Sequence, residues 1–219
     1  MIDSIAYFLR FALVDLYIIC IAVYSAIIYR SLGPELKSLA HVLFLSGLAE
    51  VLILIFIFNG YSNIPGLHIY TILNAILVSI FYEKIFNGFI KSKILYIVAI
   101  IFCLFSILNT IFVQKINEYC SNSLVLSGFI FTVYSLFSFI VLFNDIVGKG
   151  RHSLLRSLTW ANSGFFIFYF IGMLIFHFGR YWNDQFSNLT SLFASAFSWV
   201  NFLSYTCMLI ALWLRPLRV

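Results

Sequence analysis

Charged side chains are scarce in this sequence. Lysine and arginine number 13 and aspartate and glutamate 8, which together make up 10% of 219 residues, whereas 63% of the residues are apolar. A soluble domain carries about 25% charged residues, and so few charges cannot cover a surface that faces water. The 4 cysteines are too few and too scattered for a disulfide framework. Soluble enzymes, disordered chains and small disulfide-stabilised domains are therefore excluded, which leaves an integral membrane protein.

Long apolar runs are the main feature that is present. A helix that crosses a bilayer needs about 20 mostly apolar residues. Seven such runs occur, each bounded by charged residues or by glycine and proline. They predict an all-α, polytopic protein with a single transmembrane domain over residues 1–219. The predicted helices cover residues 5–29, 39–58, 67–86, 94–113, 124–143, 158–178 and 189–214.

Basic residues are divided unevenly between the two ends of this predicted bundle. Ten lie at the end that holds the connections after helices 1, 3 and 5: Arg30, Lys37, Lys84, Lys91, Lys93, Lys149, Arg151, Arg156, Arg215 and Arg218. Three lie at the other end: Arg10, Lys115 and Arg180. Cytoplasmic loops carry an excess of lysine and arginine, so we predict an outside N-terminus and a cytoplasmic C-terminus. The same bias explains the net charge of +5, and we expect the lipid bilayer as a partner and no nucleic acid.

Two carboxylates fall inside predicted helices. Asp15 on helix 1 and Glu50 on helix 2 are expected roughly midway through the bilayer and at similar depth. An ionisable group at this depth is costly and is by default a hypothesis for a functional site. The two residues could share a proton or a cation, or bind a polar ligand. Alternatively, each carboxylate hydrogen-bonds to hydroxyl groups of neighbouring helices and only fixes their packing.

Larger polar side chains recur at helical spacing on helices 3, 6 and 7, and such faces point away from lipid. They predict a shared polar cavity or, alternatively, close packing between helices. We place them in the ligand- or proton-binding site with Asp15 and Glu50. These further residues are His68, Asn74, Asn162, Tyr169, His177 and Asn201.

Several chemistries lack the residues that they require. Helix 7 contains no lysine, which excludes a retinal Schiff base. The histidines lack a paired spacing, and His41 is expected at the opposite end from His68 and His177, which argues against a zinc site. We therefore expect no catalytic residue, no metal and no cofactor. No hydrophilic segment is long enough to fold as a domain, so a signal would pass through a partner protein.

Faint internal similarity relates the two halves of the chain. Ser46-Gly47 on helix 2 matches Ser163-Gly164 on helix 6, and Val23-Tyr24-Ser25 on helix 1 matches Val133-Tyr134-Ser135 on helix 5. This pattern is typical of two parallel three-helix units joined by helix 4. The layout resembles SWEET-type transporters and nicotinamide-riboside carriers, without the proline-glutamine motif of the SWEETs. The resemblance implies a small-solute facilitator or a proton-coupled transporter.

Two other stretches carry a second resemblance. Leu67-His68-Ile69-Tyr70-Thr71 and Asn162-Ser163-Gly164 are similar to segments of a group of small bacterial seven-helix membrane proteins, some of which accompany sensor kinases. An acidic residue expected after the first stretch is Asn74 here. This resemblance implies a sensing or accessory role, and the abundance of Phe, Ile and Asn favours a bacterial cytoplasmic membrane.

These observations together favour a non-enzymatic module that responds to a proton, or to a small-molecule or lipid ligand. It would act through a signalling or assembly partner, by a helix rearrangement that the ligand or proton biases. The first alternative is a small-solute facilitator or proton-coupled transporter with Glu50 as the coupling group. The second alternative is an intramembrane lipid-modifying enzyme.

Overall fold

Seven helices account for nearly all of the structure. The computed structural model describes residues 2–149, 152–183 and 189–216, with side chains for 12–144, 153–178 and 194–216. The helices are α1 (Ile2–Ile28), α2 (Pro34–Phe58), α3 (Ile64–Ile85), α4 (Ser92–Phe112), α5 (Ser121–Lys149), α6 (His152–Asn183) and α7 (Leu189–Trp213). Each of the seven is long and apolar enough to cross a membrane. The predicted all-α, polytopic class is therefore confirmed.

Most helices begin before their apolar runs do, and two of them begin well before. α2 starts at Pro34 rather than at residue 39, and α6 starts at His152 rather than at residue 158. Proline fits the first turn of a helix, where its missing N–H would have no partner in any case. Apolar composition marks the part of a helix that crosses hydrocarbon, whereas backbone hydrogen bonding extends the helix beyond it. The sequence therefore predicted the spans better than their ends.

Six of the helices form a ring, and α4 lies outside it. Neighbours pack in chain order from α1 to α3 and from α5 to α7, α7 closes on α1, and α3 contacts α5. α4 packs against α3 and α5 and exposes large apolar side chains, such as Ile97, Ile101 and Leu108. A helix with such a surface is suited to contact with lipid. The orientation in the membrane stays a prediction, and two of the basic residues behind it, Arg151 and Arg218, lie outside the described residues.

The apolar core is concentrated at the end of the bundle where α1 joins α2. Phe81 and Tyr82 on α3 and Phe86 directly after it are completely buried. Phe165 of α6 packs against Phe81 and Tyr82, with ring centroids 4.9 and 5.9 Å apart. Leucines of α2 and α7 complete this core. Toward the other end, polar side chains such as Asn109 are buried instead.

At that other end of the bundle, side-chain amides join α4 to α5 by hydrogen bonds. Asn109 Nδ2 donates to Gln114 Oε1 at 2.9 Å, and Gln114 Nε2 donates to Ser121 Oγ at 2.9 Å. Asn122 Nδ2 donates back to Asn109 Oδ1 at 3.0 Å. Because the Asn109 and Gln114 amides both donate and accept, the connection over residues 113–120 is fixed to both helices.

Candidate functional site

The two carboxylates predicted inside the bilayer lie on neighbouring helices. Asp15 on α1 and Glu50 on α2 are both half-buried, and the charge of Asp15 acts on Glu50. Gly47 approaches α1 so closely that a Cβ atom there would lie 2.5 Å from Ala22 Cβ. In an antiparallel pair with this register, Asp15 lies about one turn, or 6 Å, beyond Glu50 along the axis. We call Asp15 and Glu50 the acid pair.

Tyrosine hydroxyl groups lie near Glu50. Tyr70 of α3 and Tyr205 of α7 are both within range of its charge, and Tyr205 lies beside Tyr70 and Ser46. Tyr70 Oη is 3.2 Å from Ser46 Oγ, which is one turn before Glu50 on α2. A hydroxyl group donates to a carboxylate and accepts from a carboxylic acid. These surroundings are therefore compatible with both protonation states of Glu50.

A hydrogen bond joins α1 to α7, two residues after Asp15 and one residue after Tyr205 in the chain. Tyr17 Oη is 2.9 Å from Thr206 Oγ1, and Thr206 Oγ1 itself donates to the carbonyl oxygen of Phe202 at 2.7 Å. The single hydroxyl proton of Thr206 is thus in use, so Tyr17 is the donor to Thr206. This contact therefore helps to close α7 on α1.

Three of the predicted site residues lie in a second polar region, between α3, α5 and α6. Asn74 Nδ2 donates to Tyr169 Oη at 2.9 Å. Tyr82 Oη donates to Asn162 Oδ1 at 3.1 Å and lies 2.5 Å from Ser135 Oγ, while Asn162 Nδ2 donates to the Ser135 carbonyl oxygen at 3.0 Å. All five side chains are buried. This region therefore joins three helices, and a cavity that Tyr70, Asn74 and Tyr169 all border connects it with the neighbours of the acid pair.

His68 connects α3 to α4 and to the connection that follows α4. Its Nδ1 atom lies 2.8 Å from Thr110 Oγ1, and its Nε2 atom lies 2.8 Å from the Glu118 carbonyl oxygen. The side chain is 5% exposed. Because both ring nitrogens are engaged by protein atoms, this arrangement serves the attachment of α4 rather than the acid pair.

His177 and Asn201 are the two remaining predicted residues. His177 lies apart from the acid pair, and Asn201 lies at the edge of its surroundings. His177 is exposed near the end of α6 and borders a groove of about 460 Å³ between α5 and α6, together with Phe129 and Met173. Asn201 is half-buried on α7, one turn before Tyr205. The structure therefore brings Asp15 and Glu50 together, and distributes the other predicted residues over separate contacts.

Three residues of the acid-pair region were not among the predicted site residues: Ser46 and Tyr70, which sequence reasoning did not assign to a site, and Tyr205, which it noted only as part of the polar face of helix 7. Each is one helical turn from a residue that was predicted, namely Glu50, Asn74 or Asn201. Residues four positions apart lie on one helix face, so this spacing is the signal that finds them. This spacing is easily overlooked when the residue is tyrosine, because a tyrosine ring is equally typical of apolar packing.

The acid pair has no cationic partner among the described side chains. The salt bridge found there joins Lys84 Nζ to Glu83 Oε2 at 2.9 Å, near the other end of α3. In the same part of the chain, no three His, Cys, Asp or Glu side chains come together as a metal site requires. Two carboxylates with neighbouring hydroxyl groups are chemically suited to hold and release a proton.

Comparison of the chain with protein-family models, with curated proteins and with solved structures finds no match. The two resemblances therefore rest on the quoted sequence segments alone, and the site is interpreted from its own geometry.

Proposed function

We propose that this chain is a proton-responsive membrane module, in which the acid pair gains and loses a proton and the surrounding helices repack. The observation that carries the proposal is the placement of Asp15 and Glu50, two half-buried carboxylates, on adjacent helices that pack closely against each other. Two negative charges repel more strongly in a low-dielectric interior than in water. A proton on Glu50 removes this repulsion.

The groups around Glu50 give each protonation state different contacts. The titratable groups that face Glu50 within the described residues are Asp15 from α1, Tyr70 from α3 and Tyr205 from α7. An ionised Glu50 accepts hydrogen bonds from hydroxyl groups, whereas a protonated Glu50 donates one and requires an acceptor. Because a proton shifts a conformational equilibrium only through such a difference, these contacts supply the coupling.

A small cavity near the acid-pair region is suited to water rather than to an organic solute. A cavity bordered by Tyr70 amounts to about 30 Å³, which holds about two water molecules. Pockets for small organic molecules measure roughly 300–1,000 Å³. A small-solute carrier would need a much larger opening at this place, so the carrier stays the alternative prediction.

A module of this kind requires a partner protein to receive its response. The connections at 59–63, 86–91 and 113–120 are far too short to fold as domains. A change in helix packing would alter the surface that the bundle presents to another membrane protein. We therefore propose a non-enzymatic role in signalling or assembly, in which the partner protein contacts the helix bundle within the bilayer.

The proposal is tested by a distance measurement across pH. Spin labels are attached at Tyr61 and Lys115, two exposed positions at one end of the bundle, in a variant without the natural cysteines. In lipid nanodiscs, we expect their separation to change with pH. Glu50→Gln should fix the low-pH distance at every pH, while Glu118→Gln, which neutralises an exposed carboxylate in a connection, should keep the change. A wild-type distance that is the same at every pH would overturn the proposal.

A further inference from the structure

A small cavity lies between α3, α5 and α6, next to the acid-pair region. Its volume is about 30 Å³, and its polar lining comes from Tyr70, Thr71, Asn74, Ser127 and Tyr169. A buried water needs about 10–15 Å³ measured in this way, so the cavity has room for about two water molecules. Its described lining contains no charged side chain, which favours a neutral occupant.

Asn74 presents a buried carbonyl group that no described residue satisfies. The side chain is 7% exposed, its Nδ2 donates to Tyr169, and its Oδ1 has no hydrogen-bond partner. An unpaired buried acceptor is costly. A donor within the cavity would remove this cost.

The neighbouring groups complete a binding shell for water. Tyr169 Oη accepts from Asn74, so its own proton is left to donate. The hydroxyl groups of Thr71 and Ser127 donate to backbone carbonyls of their own helices at 2.8 and 2.9 Å, and each oxygen keeps a lone pair. A water that accepts from Tyr169 and donates to Asn74 and Ser127 makes three hydrogen bonds, the usual number for a buried water.

We infer that this cavity is a water site, and that its water passes protons to Tyr70 as a route to the acid pair. The role in proton movement rests on the proposed function, whereas the presence of water does not. A protonated water in the cavity gives its extra proton to Tyr70 Oη, and Tyr70 passes its own hydroxyl proton on to Glu50, so the water and the tyrosine both end neutral and the carboxylate becomes a carboxylic acid. Asn74 is a positioning residue, because its amide holds the water and does not itself carry the proton.

The water site is tested by X-ray hydroxyl-radical footprinting of the protein in nanodiscs, which modifies side chains beside bound water. Tyr169 and Tyr82 provide a matched pair in one molecule, since they are 5% and 0% exposed and only Tyr169 borders the cavity. We expect Tyr169 to be modified several-fold faster than Tyr82. Equal rates would mean a dry cavity and would overturn the inference.

Two variants test whether the modification of Tyr169 depends on water in the cavity. Asn74→Leu replaces the unpaired acceptor with an apolar side chain of similar size, and Ser127→Val removes a second acceptor and fills space. Each should reduce the modification of Tyr169 to the rate of Tyr82, and a wild-type rate in both variants would overturn the assignment. Glu50→Gln leaves the cavity lining intact and should not alter the rate, so this measurement is independent of whether the acid pair titrates.

The proton route has a kinetic readout. After a rapid pH change, time-resolved infrared spectroscopy follows the carboxylic acid band of Glu50. We expect Asn74→Leu to slow the appearance of this band several-fold while the pH at its midpoint stays the same, which a purely structural role of Asn74 would not produce. An unchanged rate in Asn74→Leu would overturn the route.

Discussion

At the scale of single residues, Tyr82 shows how a polar group is accommodated in an apolar core. Its ring packs against Phe86 and Phe165, while its hydroxyl group reaches Asn162 and Ser135. The ring supplies apolar contact area, and the hydroxyl group satisfies partners on two other helices. The same combination recurs at Tyr169, which suggests that tyrosine is the residue that joins the core to the polar interior.

Removing the Tyr82 hydroxyl group should measurably destabilise the bundle. Tyr82→Phe keeps the ring but leaves Asn162 Oδ1 without its donor. Hydrogen bonds between membrane helices contribute about 0.6 kcal/mol on average and up to about 1.7 kcal/mol, so we expect a loss of about 1 kcal/mol in the free energy of unfolding. Tyr61→Phe, at a position that is 69% exposed, is the control. Equal unfolding free energies for the two variants would contradict the role given to the hydroxyl group.

The acid pair itself is visible in the sequence, because a carboxylate within a long apolar run has few explanations. Its hydroxyl neighbours are not visible in the same way, because serine and tyrosine occur on every helix. Asp15 and Glu50 were predicted at similar depth, whereas the close approach of Gly47 to Ala22 implies an offset of about one turn. That offset depends on the packing of two particular small residues, which hydropathy does not encode.

At the scale of helices, α1 and α2 are set in register by a glycine. At Gly47, a Cβ atom would come within 2.5 Å of Ala22 Cβ, so Gly47→Ala forces the two helices apart. Overpacking of this kind costs about 1–3 kcal/mol, and we expect such a loss in unfolding experiments on the reconstituted protein. Gly66→Ala on α3 has open space around the new methyl group and should cause no loss. Gly47→Ala as stable as Gly66→Ala would contradict this packing.

The attachment of α4 through His68 can be followed at Cys120. This thiol is completely buried in the connection before α5, and burial raises its pKa, so the reactive thiolate is rare. With the other cysteines replaced by alanine, we expect slow maleimide labelling of the native protein and several-fold faster labelling in His68→Leu, because the connection is released. His41→Leu, at the opposite end of the bundle, should keep the slow rate. Slow labelling in His68→Leu would show that His68 does not hold this connection.

At the scale of the whole molecule, hydropathy predicted the number of helices, whereas the predicted layout of two three-helix units joined by helix 4 came from faint internal similarity alone and gave no contacts between helices. Apolar length is a local property and identified all seven spans. The closure of α7 on α1 and the position of α4 outside the ring depend on contacts between distant parts of the chain. The meeting of the acid pair with Tyr70 and Tyr205 follows from that arrangement, so it could not be derived from one helix at a time.

The central claim is that a carboxyl group within this helix bundle exchanges a proton. Infrared difference spectroscopy of the reconstituted protein across pH tests it most directly, because a protonated carboxylic acid has its own C=O band, which shifts in heavy water. We predict a band that appears as the pH falls, that Glu50→Gln removes, and that Glu118→Gln leaves in place. If no such band appears at any pH, or if Glu50→Gln retains all of it, the proposed function is contradicted.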